Sequence, residues 1–276
     1  MSAKIPEPTY DYDINRLVRA YKSAILAIYR ELDRIDIANI SRAHSAAALI
    51  EVTKILAILN EESAAWVAEN IPKAVRDGVL ATLVSLDVKD TEKVVKFNRI
   101  NKELVEAVVA DTQADLLAVT KNVERRVRTA VRQVTAESMR ANLAKGINGR
   151  KTINADILAG LKKKLGDSVN TGIVDAAGRR WRPDVYVDMV VRTKTAEARR
   201  ESAINEAISR RAYYGVISRH GATDACAKWE GKVVKLVREA PGDYPYIGDI
   251  SRRELFHPNC LHVVTPVRDP ALLTAQ

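Results

Sequence analysis

The chain has 276 residues, 47% of them hydrophobic, which is enough to bury a substantial core and excludes disorder along its whole length. Its 44 Lys and Arg outnumber 35 Asp and Glu, and the resulting net charge of +9 suits a polyanionic neighbour without requiring one. Aromatics at 5% and only 12 glycines argue against a β-sandwich, and two cysteines cannot staple a chain of this size, so a mainly α protein folding in a reducing cytosol is expected.

The N-terminal MSAKIPEPTYDYD lacks a basic segment followed by an apolar one, and no run of about 18 uncharged apolar residues occurs. A soluble, untargeted protein with no membrane partner is expected. Leu17, Tyr21, Ile25, Ile28, Leu32 and Ile35 recur at steps of three and four, which puts one apolar stripe on a first helix. A second helix from about Ile40 carries Leu49, Val52, Leu56 and Leu59, and Asn60-Glu61-Glu62-Ser63 reads as the connection to a third, giving a helical hairpin. Pro72 predicts a kink or break before Leu86, and residues 87–99 read as a loop with a short helix. From Leu104 the period resumes through Leu116, Val119, Val123, Val127, Val131 and Val134 toward Leu143, predicting one helix of over forty residues.

Gly146 and Gly149 end that helix, and Asn154 can cap a short one through Leu165. Beyond Gly166 the character changes to short Val-rich pieces, with a turn at Asp175-Ala176-Ala177-Gly178 leading to Trp181, and a helix from about Ala196 to Tyr214. The expected organisation is therefore a helical docking region over 1–165 and a smaller α+β domain over 166–276, folded around Trp181, Trp229 and the Cys/His loops.

That second domain holds both cysteines and three of the four histidines. They fall in two clusters, His220 to Cys226 and His257-Pro258-Asn259-Cys260-Leu261-His262. Zinc takes four nitrogen or sulfur ligands, and His257 with Cys260 suits a shared ion, completed by Cys226 and either His220 or His262. Cys226, His257, Cys260 and His262 are the candidate set. Neither cluster is a CxxC or HxxxH pair, so the more ordinary reading needs no cofactor: the cysteines and Trp229 pack in an apolar core and the histidines bond loop carbonyls. A Cys260/His257 hydrolase is a further reading, for which the sequence supplies no oxyanion site. Trp229-Glu230-Gly231-Lys232 before Val233 reads as a structural turn entering a strand.

Between Lys121 and Lys151 nine Lys or Arg face only Glu124 and Glu137. Arg125, Arg126, Arg128, Arg132 and Arg140 are the candidate contacts to double-stranded DNA, a sequence-independent binding through phosphates, with Lys162-Lys163-Lys164 adding charge. The alternative is a helix surface that keeps the protein soluble or faces acidic proteins.

The Asp175-x-x-Gly178-Arg179-Arg180-Trp181 turn, Tyr186 with Asp188-Met189 and Arg192-Thr193, the His220 to Lys232 segment, and Phe256-His257-Pro258-Asn259-Cys260-x-His262 together resemble the phage minor capsid protein 2 family, related in role to the Mu F-like head-morphogenesis proteins. The resemblance is densest after residue 170. It implies a non-enzymatic virion protein of the capsid interior, assembled in the host cytoplasm, that helps head assembly and DNA packaging or ejection near the portal. Implied partners are the portal protein and the major capsid or scaffold protein. One departure is Leu261, which stands where such a motif is expected to carry a basic residue. Two other readings compete: a capsid-associated enzyme or toxin-like domain using Cys260 and His257, and a free DNA-binding protein.

Overall fold

The computed structural model describes residues 9–89, 91, 95, 97–145, 155–170, 173–174 and 178–273. Five α-helices run among them: α1 (Asp11–Asp33), α2 (Arg42–Ser85), α3 (Arg99–Lys145), α4 (Ala155–Asn170) and α5 (Pro183–Ser209). Short antiparallel strands complete a mainly α chain with a small mixed C-terminal region, as composition predicts. Packing divides the chain into two units built from separated stretches. A bundle unit combines Ile14–Trp66 with Gln113–Asp188, and a sheet unit combines Met1–Asp13, Val67–Thr112 and Met189–Gln276.

In the bundle unit the predicted stripes supply most of the core. Leu17, Tyr21, Ile28 and Leu32 of α1, Val52, Leu56 and Leu59 of α2, and Leu116, Val119, Val123, Val127, Val131 and Val134 of α3 are all buried, while Ile25 and Leu49 are half-buried. The 47-residue α3 matches the single long helix read from its period. The connection expected at residues 60–63 does not exist, because α2 continues through it for 44 residues. Those polar residues serve packing instead. Ser63 Oγ donates to Leu59 O at 2.6 Å, and Thr120 Oγ1 of α3 donates to Asn60 Oδ1 at 2.6 Å. Further along the same pair of helices, the hydroxyls of Ser45 and Thr135 meet at 2.7 Å. Each buried hydroxyl is thus satisfied, which removes the cost of burying it.

Pro72 likewise lies inside α2 and does not break it. Residue 166, where the sequence changes character, lies inside α4, whose Leu161, Leu165 and Val169 bury one uninterrupted face. The proposed caps Gly146, Gly149 and Asn154 fall outside the described residues, as does most of the 90–96 connection. Strands β1 (Ile173–Val174) and β2 (Arg180–Trp181) pair antiparallel, Ile173 opposite Trp181, as the predicted hairpin requires. Gly178 takes φ +78° at its end, while residues 175–177 are outside the described set. Trp181 belongs to this bundle unit and packs edge-on to Tyr186, so it is not part of the core around the Cys/His loops as expected.

The sheet unit begins where α2 passes Val67. Helix α5 starts at Pro183, earlier than the predicted Ala196, since proline's fixed φ suits a first helical turn. It ends at Ser209 through paired bonds, Ala212 N–H to Ala207 O (2.9 Å) and Arg211 N–H to Ile208 O (3.0 Å), with Arg211 at φ +60°. That pattern is a Schellman cap whose left-handed position normally holds glycine. The exposed Arg211 is strained there, so Arg211→Gly is expected to raise stability by about 0.5–1 kcal/mol, net of glycine's freer unfolded state; a lowered urea midpoint would contradict it. Tyr214, expected at the helix end, opens strand β3 (Tyr214–Ile217). This strand is central, flanked antiparallel by β4 (Val233–Lys235) and β5 (Val264–Val267). Beneath lies a core of Leu86, Ile204, Ile217, Cys226, Val234, Leu236, Leu255 and Val264.

Candidate metal centre and basic helix face

The register of β3 decides which loops meet. Val216 pairs with Val233 and Ile217 with Val264, so the residues leaving β3 and those entering β4 and β5 converge at one end of the sheet. Beyond the strands the ladder continues, Gly231 N–H to Ile217 O and Ser218 N–H to Val263 O, both 2.9 Å. His220, Glu230 and the 260–262 segment are thereby held side by side. Cys226 is supplied by a 3₁₀ turn, Ala225–Trp229, capped by Asp224, which accepts from the Cys226 N–H at 3.0 Å. The His257-Pro258-Asn259-Cys260 piece is a β-turn closed by Cys260 N–H to His257 O at 2.9 Å, with Asn259 at φ +63°. Proline second and a positive φ third are what a type II turn needs, which explains the HPNC sequence.

Cys226 Sγ lies 3.5 Å from Cys260 Sγ, Cys260 Sγ lies 3.3 Å from His262 Nδ1, and His262 Nδ1 lies 3.2 Å from His220 Nε2. The donor atoms of Cys226, Cys260 and His262 all fall within 4.8 Å of one another. Of the four residues put forward from sequence, three therefore meet. The fourth, His257, is turned to other partners, with Nε2 at 3.0 Å from Asp224 Oδ2 and Nδ1 at 3.0 Å from Pro258 O. It does approach Cys226, with Asp224, as a separate group. His220 is the histidine that stands beside His262, and Cys260 faces His262, not the His257 of the hydrolase reading.

Glu230, read from sequence only as part of a turn, is the anchor of this region. Its Oε1 accepts the backbone N–H groups of His220, Gly221 and Ala222 at 2.9, 2.9 and 3.0 Å. These three donors hold its carboxyl down to about 2, led by Ala222 and His220. The same oxygen lies 3.4 Å from His262 Nε2 and 3.9 Å from His220 Nδ1. No spacing rule in the sequence marks an acid eight residues past a loop as its clasp. Burial, and next the thiol of Cys260, pushes the Cys226 thiol up to about 12, and burial lowers His262, so both are neutral in the metal-free protein at pH 7. Asp224 is lowered by the Cys226 N–H and by His257.

The cleft beside Cys260, lined by Glu197, Arg200, Arg252, Phe256 and His257 among others, has a volume of about 10 Å³, room for roughly one water and not for an organic substrate. Leu261, at the departure from the family motif, is 69% exposed.

The basic candidates all lie on α3. At about 100° per residue, Lys121, Arg125, Arg128 and Arg132 fall within an arc of about 60°, and all four are exposed. Arg140 is exposed but lies about 80° further round, and Arg126 is half-buried off the stripe. Arg128 pairs with Glu124 at 2.7 Å, and Lys164 of α4 with Glu137 at 2.7 Å. On α2 Ala43, Ala46, Ile50, Ala57 and Ile58 are exposed on an arc that also carries the exposed Lys54 and Glu61, and Ile50 and Ile58 are more than half exposed. By length and composition this helix is apolar enough to cross a membrane, and 22% of its most apolar stretch is buried.

Residues 24–269 match the model of a protein family described as Phage minor capsid protein 2. No curated relative and no solved structure matches the chain.

Proposed function

Because the chain belongs to the phage minor capsid protein 2 family, and so to the structural proteins of the phage particle, we propose that it acts inside the head near the portal by touching proteins and DNA, without catalytic turnover. The stripe of Lys121, Arg125, Arg128 and Arg132 carries the DNA part of this reading. Cations at one-turn spacing along a single exposed face neutralise phosphates without reading bases, which suits packaged DNA of any sequence. The exposed Ile50 and Ile58 of α2, with charged Lys54 and Glu61 beside them, support docking on a portal, scaffold or major capsid subunit. Assembly in the host cytoplasm fits a protein that reaches the head by such contacts.

The test is the salt dependence of duplex binding. Removing one cation from a phosphate lowers the slope of log K against log salt by about 0.9, so Arg125→Gln, Arg128→Gln and Arg132→Gln together are expected to flatten it by about 2–3. An unchanged slope, or no binding by the parent protein, rejects the DNA contact. Docking is read separately, by co-purification with the portal protein and its loss in an Ile50→Asp/Ile58→Asp variant.

A further inference from the structure

We infer that Cys226, Cys260, His262 and His220 bind a structural zinc ion, with Glu230 as the carboxylate that orients both histidines. The inference rests on the loop geometry alone and is independent of the capsid reading. In a tetrahedral zinc site with Zn–S of about 2.3 Å and Zn–N of about 2.0–2.1 Å, ligand atoms are separated by about 3.3–3.8 Å. Three successive edges of such a figure are present, sulfur to sulfur at 3.5 Å, sulfur to nitrogen at 3.3 Å and nitrogen to nitrogen at 3.2 Å; His220 groups with His262 and Glu230 and not with the cysteines, so the ion must draw its ring inward to complete the set.

A plain packed core leaves these contacts poorly explained. Nδ1 of His262 is approached by both Cys260 Sγ and His220 Nε2, yet one ring nitrogen carries either one proton or one lone pair. Two such neighbours within 3.3 Å of it are the arrangement of ligands around a shared cation. The other nitrogen, Nε2, is buried without a hydrogen bond, at 3.4 Å from Glu230 Oε1, although the residue is only 4% exposed. Metal on Nδ1 fixes the proton on Nε2, and a small rotation gives it to the carboxylate, as ligating histidines elsewhere do. His220 repeats the arrangement with its nitrogens exchanged, Nε2 toward the cluster and Nδ1 toward the same oxygen of Glu230. Zinc binding expels both thiol protons and leaves a neutral set of two thiolates, two imidazoles and one dication. His257, with both ring nitrogens on oxygen acceptors, is not a ligand.

The experiment uses the full chain, expressed in zinc-containing medium and purified without chelator, with metal content measured by mass spectrometry. Equimolar zinc is expected, lost in Cys260→Ser and His220→Ala and retained in His257→Ala. Cobalt(II) added to the apo protein reads the ligand set without any variant, through tetrahedral d–d bands and thiolate charge transfer. In competition with a chromophoric chelator, Glu230→Gln should lower affinity about 10- to 100-fold while leaving the cobalt spectrum tetrahedral. A parent protein that holds no zinc and gives no thiolate–cobalt band overturns the site. So does an intact mass showing Cys226 joined to Cys260 as a disulfide in freshly purified protein. Loss of metal in His257→Ala with full occupancy in His220→Ala overturns the ligand assignment.

Discussion

Gly78→Ala is expected to destabilise the protein by about 2 kcal/mol, although the same change in an ordinary helix interior stabilises by about 1 kcal/mol. Gly78 lies in the middle of α2, where a Cβ would meet the Arg199 carbonyl oxygen of α5 and the Ser202 hydroxyl, each at 2.1 Å. A side-chain tip could move aside, but a helix backbone carbonyl cannot, so the two helices must separate. Separation also stretches the contact one turn on, where Thr82 Oγ1 lies 3.1 Å from both Gly78 O and Ala203 O. Overpacking of this kind costs about 1–3 kcal/mol and sometimes more, and a rigid partner places it at the upper end, so the propensity gain is overridden. Gly160 of α4 is the control. It is exposed with nothing within 4 Å of its Cβ position, so Gly160→Ala should stabilise by about 0.5–1 kcal/mol. Urea midpoints of the two variants moving in the same direction would refute the close approach of α2 to α5.

Gly78 also shows where sequence reading stops. The helix stripes of α1, α2 and α3 are legible because burial repeats with the helical turn, and each predicted Leu, Ile or Val of α3 from Leu116 to Val134 is buried. Asn60, Ser63 and Pro72 mislead because each usually signals a loop or a break, whereas here the first two are hydrogen-bonded inside a helical bundle and the third sits in the helix itself. Residue 166, where the division was expected, lies inside α4, and each compact unit is drawn from separated stretches of chain. The second half of α2 packs on α5 through a contact spanning over a hundred positions, and only a glycine in an ordinary helical run records it. For the candidate site, residue types and loops were readable, and Cys226, Cys260 and His262 do meet. That His220 stands beside His262 while His257 turns to Asp224 was not, since it depends on the pairing of Ile217 with Val264 and on the turn at Pro258-Asn259, which set ring directions that spacing alone does not encode.

The basic stripe and the buried stripe of α3 occupy different arcs of one helix, and that separation yields the sharpest contrast in the molecule. Val127→Asp is expected to unfold the bundle unit. Val127 is fully buried, and a carboxylate there would have to be stripped of water, a penalty of several kcal/mol against a total stability of about 5–15 kcal/mol. Its neighbours on the outer arc behave oppositely. Arg125→Gln and Arg132→Gln remove exposed charges, and Arg128→Gln removes one surface pair with Glu124 that is worth about 0–1 kcal/mol. The triple glutamine variant should therefore melt close to the parent by circular dichroism while binding DNA with a shallower salt slope. Stability belongs to one arc and phosphate affinity to the other because a helix of about 3.6 residues per turn presents both faces from one run of sequence. If the glutamine variant loses its helical signal, the arginines are structural and the weaker DNA binding follows from unfolding. If Val127→Asp melts like the parent, α3 does not bury this arc and the bundle core must be reassigned.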